Sequence, residues 1–287
     1  MRFATTHSLR IRWALSLAIG LSIAALNLGV WQLFHGKLSA PNHVGPVAGL
    51  SYNGAGRWQS PLKGERPTAD AIAQDLALLA EHTRRIRTYS ASDHPELPDL
   101  AREHGLELML GAFIDDRLDS NQHELTTAID LARSHANIRR LIVGNETQLT
   151  AKLPPNRLSA YLDEARSALH STTVQVSTAE PWHVWLAQPQ LAQHVDFIAI
   201  HVLPYWEGEP IESAVKTSLA QIERVKAQFP GREVVVTEIG WPSNGQRMGR
   251  ARATAANQAK FIREFLQQAE ARGIDYFLIE AFDQPWK

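Results

Sequence analysis

The chain has 287 residues, with 29 Lys and Arg against 30 Asp and Glu, a net charge of −1, and no cysteine. Near-neutral charge with scattered basic residues excludes the electrostatic footprint of a nucleic-acid binder. The lack of cysteine excludes disulfides, thiolate metal centres and cysteine nucleophiles together.

Residues 13–34 come first, an uncharged apolar stretch running from Trp13 to Phe34. About 20 residues at a rise of about 1.5 Å span a hydrocarbon core of about 30 Å, and Trp13 and Trp31 fall near its two interfaces. Arg2, Arg10 and Arg12 precede the stretch and Lys37 follows it. The positive-inside bias therefore keeps residues 1–12 in the cytoplasm and exports the rest. The expectation is a single-pass signal anchor in the inner (cell) membrane, with the remainder periplasmic or extracellular. A cleaved signal peptide is the alternative; the apolar region is long for one and Leu38-Ser39-Ala40 is a poor cleavage site. Residues 35–46, with Pro41 and Pro46, read as a linker.

From residue 47 short apolar runs alternate with longer helical ones, the signature of repeated βα units and a parallel sheet. The spacing predicts strands at 47–52, 85–89, 107–113, 140–144, 174–177, 197–201, 234–237 and 276–279. Helical periods fill 69–81, 97–104, 124–135, 158–169, 184–194, 211–229 and 255–272. Eight strands in a domain near the ~250 residues typical of the fold predict an α/β (β/α)8 TIM barrel over 47–287. Its final helix is missing, because the sequence stops at Lys287. A doubly wound sheet should instead carry a glycine-rich phosphate turn after its first strand, and Tyr52-Asn53-Gly54-Ala55-Gly56 leads to Pro61 rather than into a helix.

The C-terminal ends of barrel strands open on one face and carry the catalytic groups. That rim collects Tyr52 and Asn53, Arg87 and Tyr89, Asp115 and Asp116, Asn145 and Glu146, Glu180 and Trp182, His201 and Tyr205, Glu238 and Trp241, then Glu280, Asp283, Trp286 and Lys287. Aromatic faces beside amides and carboxylates suit sugar rings better than phosphates. Hydrolysis of a glycosidic bond needs one acid to protonate the leaving oxygen and a second carboxylate on the other side of the anomeric carbon. Glu146 and Glu238, each directly ending an apolar run, are that candidate pair. Asn145 is placed to bind a hydroxyl, and Arg87 pointing inward would need Glu146 or Glu238 as partner and would hold it ionised. Asp115-Asp116 lacks a third carboxylate at cation-site spacing, so neither metal nor cofactor is expected.

The stretches Gly144-Asn145-Glu146, Thr237-Glu238-Ile239-Gly240-Trp241-Pro242-Ser243 and Glu280–Lys287, with Gly49-Leu50-Ser51-Tyr52-Asn53 and Arg87-Thr88-Tyr89, resemble signature segments of glycoside hydrolase family 17, the β-1,3-glucanases and β-1,3-glucanosyltransferases. The resemblance covers about residues 47–287 and implies Glu146 as acid/base, Glu238 as nucleophile and retention of configuration. Candidate substrate-binding residues are Tyr52, Asn53, Arg87, Tyr89, Asn145, His201, Tyr205, Trp241, Glu280, Trp286 and Lys287, with Trp206 a further platform. With its anchor the chain resembles bacterial membrane-bound members, which implies β-glucan as substrate and a membrane glycosyltransferase as partner, in periplasmic glucan synthesis or remodelling. Two rival readings are a catalytically silent glucan-binding barrel and a retaining hydrolase for another β-linkage.

Overall fold

The computed structural model describes residues 4–34, 40–54 and 64–284. It divides into an N-terminal unit ending at Pro41 and a second unit from Asn42 onwards. The first unit is one helix, α1 (Ala4–Phe34), longer than the apolar stretch alone suggests. Its apolar portion, Arg12–Gln32, is 21 residues long and unburied. Asn27, within this stretch, turns its amide back to the Ile23 carbonyl at 3.0 Å, so the side chain is satisfied inside the helix.

The second unit is a closed barrel of eight parallel strands in sequence order. The strands are β1 (Leu50–Ser51), β2 (Arg85–Arg87), β3 (Glu107–Ala112), β4 (Ile138–Asn145), β5 (Gln175–Pro181), β6 (Ile198–Val202), β7 (Val234–Ile239) and β8 (Asp275–Leu278). Between them run α2 (Ala69–Ala80), α3 (Leu97–Glu103), α4 (Leu118–Ser134), α5 (Pro155–Leu169), α6 (Trp182–Ala187), α7 (Ile211–Gln228) and α8 (Ala255–Arg272). The ring closes where β1 meets β8, with Leu50 opposite Leu278 as the one register pair of that seam.

Local chemistry sets the helix ends. Thr68 and Thr254 accept from the N–H groups of Ala71 and Asn257 at 3.2 and 3.1 Å, caps worth about 1 kcal/mol each. Gly273, at φ 59°, ends α8 in the left-handed region. The helix expected at 158–169 begins at Pro155, and two others differ more from their predicted bounds. The helix expected at 124–135 begins at Leu118, because Asn121 exchanges bonds with the Asp115 backbone and, with Glu124, buries polar groups where an apolar period is looked for. The helix expected at 184–194 breaks after Ala187: Pro189 holds Gln188 out of the helical region, and a 3-10 turn covers Pro189–His194.

Alternation along the strands separates two cores. Met109, Ile142, Ala179, Ala199, Val235 and Phe277 cluster with Phe197 apart from the larger core. Their neighbours, among them Leu108, Leu110, Leu141, Val143, Ile198, Ile200, Val234 and Val236, belong to that larger core with Ile72, Leu125, Leu162, Ile222 and Phe265 of the helices. The first set therefore fills the barrel and the second packs strands on helices. At the N-terminal end, Arg85 and Arg140 share Asp275 at 2.6 and 2.9 Å, and Arg140 also pairs with Glu233. Asp275 is held below the usual carboxylate range: burial raises it, but the two guanidinium groups outweigh that. This network closes the end remote from the site.

Candidate active site

By strict alternation Val235 and Thr237 point into the barrel and Glu238 points out. The register of β7 slips against β6 at His201 and against β8 between Val236 and Ile239. Such irregularities re-aim side chains beside active sites, and here Glu238 turns inward until it is 5 % exposed. On β4 the register slips between Ile142 and Asn145, with Gly144 at φ 82°. A Cβ on Gly144 would lie 2.7 Å from Thr147 Oγ1, so only glycine fits. The next residue but one, Glu146, itself sits at φ 53°.

Arg87 is the hub. Fully buried, it places Nη1 2.6 Å from Glu238 Oε1 and donates from Nη2 to Asn145 Oδ1 at 2.5 Å. Its guanidinium stacks 4.6 Å from the Tyr89 ring centroid. Burial opposes its charge, yet Tyr89 and Glu238 hold it protonated, with its pKa raised. Glu238 responds in the opposite sense. Burial pushes its carboxyl up, but the charge of His201 when protonated, the charge of Arg87 and the hydrogen bond from Arg87 bring it below the usual range. Glu238 is the partner that an inward Arg87 requires.

His201 lies between the two acids, with Nδ1 2.8 Å from Glu146 Oε1 and Nε2 3.5 Å from Glu238 Oε1. Arg87 Nη2 approaches Nε2 at 3.4 Å. A guanidinium cannot accept, so the neutral ring carries its hydrogen on Nδ1 and donates it to Glu146. One oxygen from each acid and one His201 nitrogen lie within 4.8 Å of one another. Three such donors could hold a divalent cation, but each already has a protein partner, and the Arg87 charge at 2.6 Å from Glu238 opposes a second cation.

The expected aromatic platforms divide. Tyr52, Tyr205 and Trp241 are 1 %, 4 % and 2 % exposed, so their rings fill the wall rather than standing open at the rim. Tyr52 donates to Asp75 Oδ2 at 2.9 Å, Tyr205 donates to the Gln246 carbonyl, and Trp241 donates to the Arg252 carbonyl at 2.9 Å. Trp241 also packs between Tyr205 and Phe261. Each polar tip needs a protein partner, which draws the ring into the wall. Trp206, beside Tyr205, is the large aromatic left 60 % exposed at this rim among the described residues. Asn53 and Glu280 are part-buried after β1 and β8, Glu280 accepting from Gln284 Nε2 at 2.8 Å. Trp286 and Lys287 lie outside the described residues.

Two buried acids hold backbone here: Glu124, which the sequence reading missed, and Glu180, which it placed on the rim without a role. Glu124 on α4 accepts from the N–H groups of Ala91, Ser92 and Phe113, tying together the loops after β2 and β3. Glu180, near the end of β5, accepts from the N–H groups of Gln148 and Leu149 at 2.7 and 3.1 Å. Its signal was available, since it ends a strand as Glu146 and Glu238 do. Burial pushes the Glu180 carboxyl up to about 7. A raised carboxyl contributes stability that is full below the unfolded value and is lost as pH rises through the folded one. Stability is therefore expected to fall between about pH 4.5 and pH 7 by on the order of 3 kcal/mol from this group. Denaturant unfolding of the parent and of Glu180→Gln checks this; equal pH slopes for both would refute it.

An eight-stranded parallel barrel with two close carboxylates at its C-terminal mouth, one held ionised by a buried arginine, brings together the groups that cleavage of a glycosidic bond requires. Residues 49–287 match the BtgE/BtgC glycoside hydrolase domain, and the chain belongs to that family, within glycoside hydrolase family 17. It is 30 % identical over 237 residues to a glucan 1,3-beta-glucosidase of Schizosaccharomyces pombe, covering 77 % of this chain and 74 % of that protein. A probable family 17 glucosidase of Saccharomyces cerevisiae is 27 % identical over 225 residues, covering 77 % of this chain and 57 % of that one. The solved β-1,3-glucanosyltransferase of Rhizomucor miehei superposes with a TM-score of 0.75 at 26 % identity, over 83 % of this chain and 88 % of that one; an active-site mutant of the same enzyme is known in complex with laminaritriose.

Proposed function

We propose that this glycoside hydrolase remodels β-1,3-glucan by a retaining double displacement, with Glu238 as nucleophile and Glu146 as acid/base. The observation that carries the reading is the short separation of the acids. One oxygen of each acid lies within 4.8 Å of the other, in keeping with the roughly 5–5.5 Å between carboxyls of retaining enzymes and shorter than the roughly 6.5–9.5 Å of inverting ones. The glucan-active relatives support the choice of substrate.

In the first step Glu238 attacks the anomeric carbon as the bond to the leaving oxygen breaks, and Glu146 gives that oxygen its proton. In the second, Glu146 takes a proton from an incoming hydroxyl, whose oxygen displaces Glu238. The incoming group is water in hydrolysis and a sugar hydroxyl in transfer. Exposed Trp206 offers a face on which an acceptor sugar can stack, which favours transfer. Arg87 serves both steps by keeping Glu238 anionic before attack and a good leaving group afterwards.

The test is mass analysis of products from the purified full chain in detergent with a laminari-oligosaccharide. Products longer than the substrate are expected. Shorter products alone would replace transfer by hydrolysis, and no product from folded protein would favour a glucan-binding barrel. Conversion of cello-oligosaccharides instead would move the enzyme to another linkage.

The N-terminal helix supports an anchor: its 21-residue apolar span, Arg12–Gln32, at about 1.5 Å per residue reaches about 31 Å. In this reading the barrel works outside the cell membrane, on glucan delivered by a membrane glycosyltransferase. The full chain is expected to stay with membranes through an alkaline wash and to leave them in detergent; release by the wash would refute anchoring.

A further inference from the structure

We infer that Glu180 is a positioning residue for Glu146: its buried carboxylate grips the backbone of the turn that carries the acid/base and holds that turn in one conformation. The inference rests on the assignment of Glu146 just made.

The geometry begins with an unfavourable backbone. Glu146 occupies the left-handed region at φ 53°, where a side chain with a Cβ is rarely found. Such a conformation persists only if its surroundings enforce it. Upstream, Glu146 N–H donates to the Ala179 carbonyl at 2.8 Å, and Thr178 Oγ1 donates to the Gly144 carbonyl at 3.2 Å. Downstream, the chain closes one turn, with Thr150 N–H donating to the Glu146 carbonyl at 3.0 Å. The free N–H groups at the start of that turn belong to residues just after Glu146, and Glu180 meets those of Gln148 and Leu149, one with each carboxylate oxygen.

Glu180 is 0 % exposed and adjoins Ala179 in sequence, so β5 grips the Glu146 turn from both sides. A carboxylate is an unusual choice for a task a serine or asparagine performs at exposed turns, because burying it is costly. Burial and then the charge of Glu146 are among the causes that raise its carboxyl, so the two acids sense one another. Charge-assisted bonds to both N–H groups offset part of that cost and set the turn more firmly than neutral acceptors would. A shift of about 1 Å at a general acid can lower rate about 100-fold without changing how substrate is held.

The experiment separates a positioning role from a merely structural one by leaving-group dependence. A laminari-oligosaccharide has a poor leaving group and needs a proton from Glu146, whereas a 2,4-dinitrophenyl β-laminaribioside needs none in its first step. For Glu180→Gln, kcat on the oligosaccharide is expected to fall 10- to 100-fold. KM should stay within about 2-fold, and the first-turnover burst of dinitrophenolate should stay within about 2-fold of the parent. Glu180→Asp, which retains the charge, should recover part of the loss, and it serves in its place should Glu180→Gln not fold.

Equal losses on both substrates, or no loss on either, would overturn the inference. Glu146→Ala run alongside keeps the two readings distinct. If it too fails to spare the dinitrophenyl burst, the acid/base assignment is at fault; if it spares the burst and the Glu180 variants do not, the positioning role alone is lost.

Discussion

Replacing Glu238 with alanine is expected to lower turnover of β-1,3-linked oligosaccharide by at least about 10⁴-fold, the largest catalytic effect of any substitution in the site. In the proposed mechanism the loss follows from removing the atom that would form the covalent bond, so no rearrangement of neighbours can supply it. Azide in the vacated space should restore turnover and give an α-glycosyl azide, because it attacks from the face the carboxylate used. Glu146→Ala should differ in kind. There the covalent intermediate still forms from an activated substrate, and azide attacking it from the opposite face gives the β-anomer. NMR of the two azides checks the assignment; a β-anomer from Glu238→Ala would reverse the roles.

Arg87→Met is expected to produce the largest loss of stability, about 3–5 kcal/mol in denaturant unfolding, because it strands the buried Glu238 carboxylate at 5 % exposure. The pair itself need not be stabilising: what costs is breaking one half. Arg87→Met combined with Glu238→Gln should therefore be more stable than Arg87→Met alone, by on the order of 2 kcal/mol. A double variant less stable than both single ones would show that Arg87 acts through packing on Tyr89 rather than through charge. Lysine at position 87 keeps the charge but cannot serve Glu238 and Asn145 together, as the two arms of the guanidinium do at 2.6 and 2.5 Å.

The sequence made the barrel readable because every strand's apolar run is bounded by a helical period, and period is a local property. It also made Glu146 and Glu238 conspicuous, since an acid at the end of a buried strand has few structural uses. The direction those acids face was not legible. Alternation sends Glu238 outward, and only the register slips of β7 against its neighbours bring it in. Such slips depend on pairing across the ring, which no window of sequence contains. For the same reason Tyr52, Tyr205 and Trp241 read as sugar platforms. Their burial is decided by Asp75, by the Gln246 and Arg252 carbonyls and by the rings of Phe282 and Phe261, all distant or loop-borne. Glu180 was visible as a strand-end acid, but its two backbone partners lie across the barrel wall on the neighbouring strand's loop.

The seam between β1 and β8 bears on how folding and binding are linked. β1 is two residues long, and one register pair joins it to β8, whereas β3 and β4 share five. Asn53 and Glu280 stand just beyond the C-terminal ends of the two strands of that seam. A glucan ring held by both would bridge the thinnest part of the wall, so the free energy of binding would be spent on keeping the cylinder shut. Each tenfold rise in ligand concentration above its Kd adds about 1.4 kcal/mol to the closed form. Local opening of the unliganded barrel is expected first at this joint, where a bound polymer would act as a removable stave.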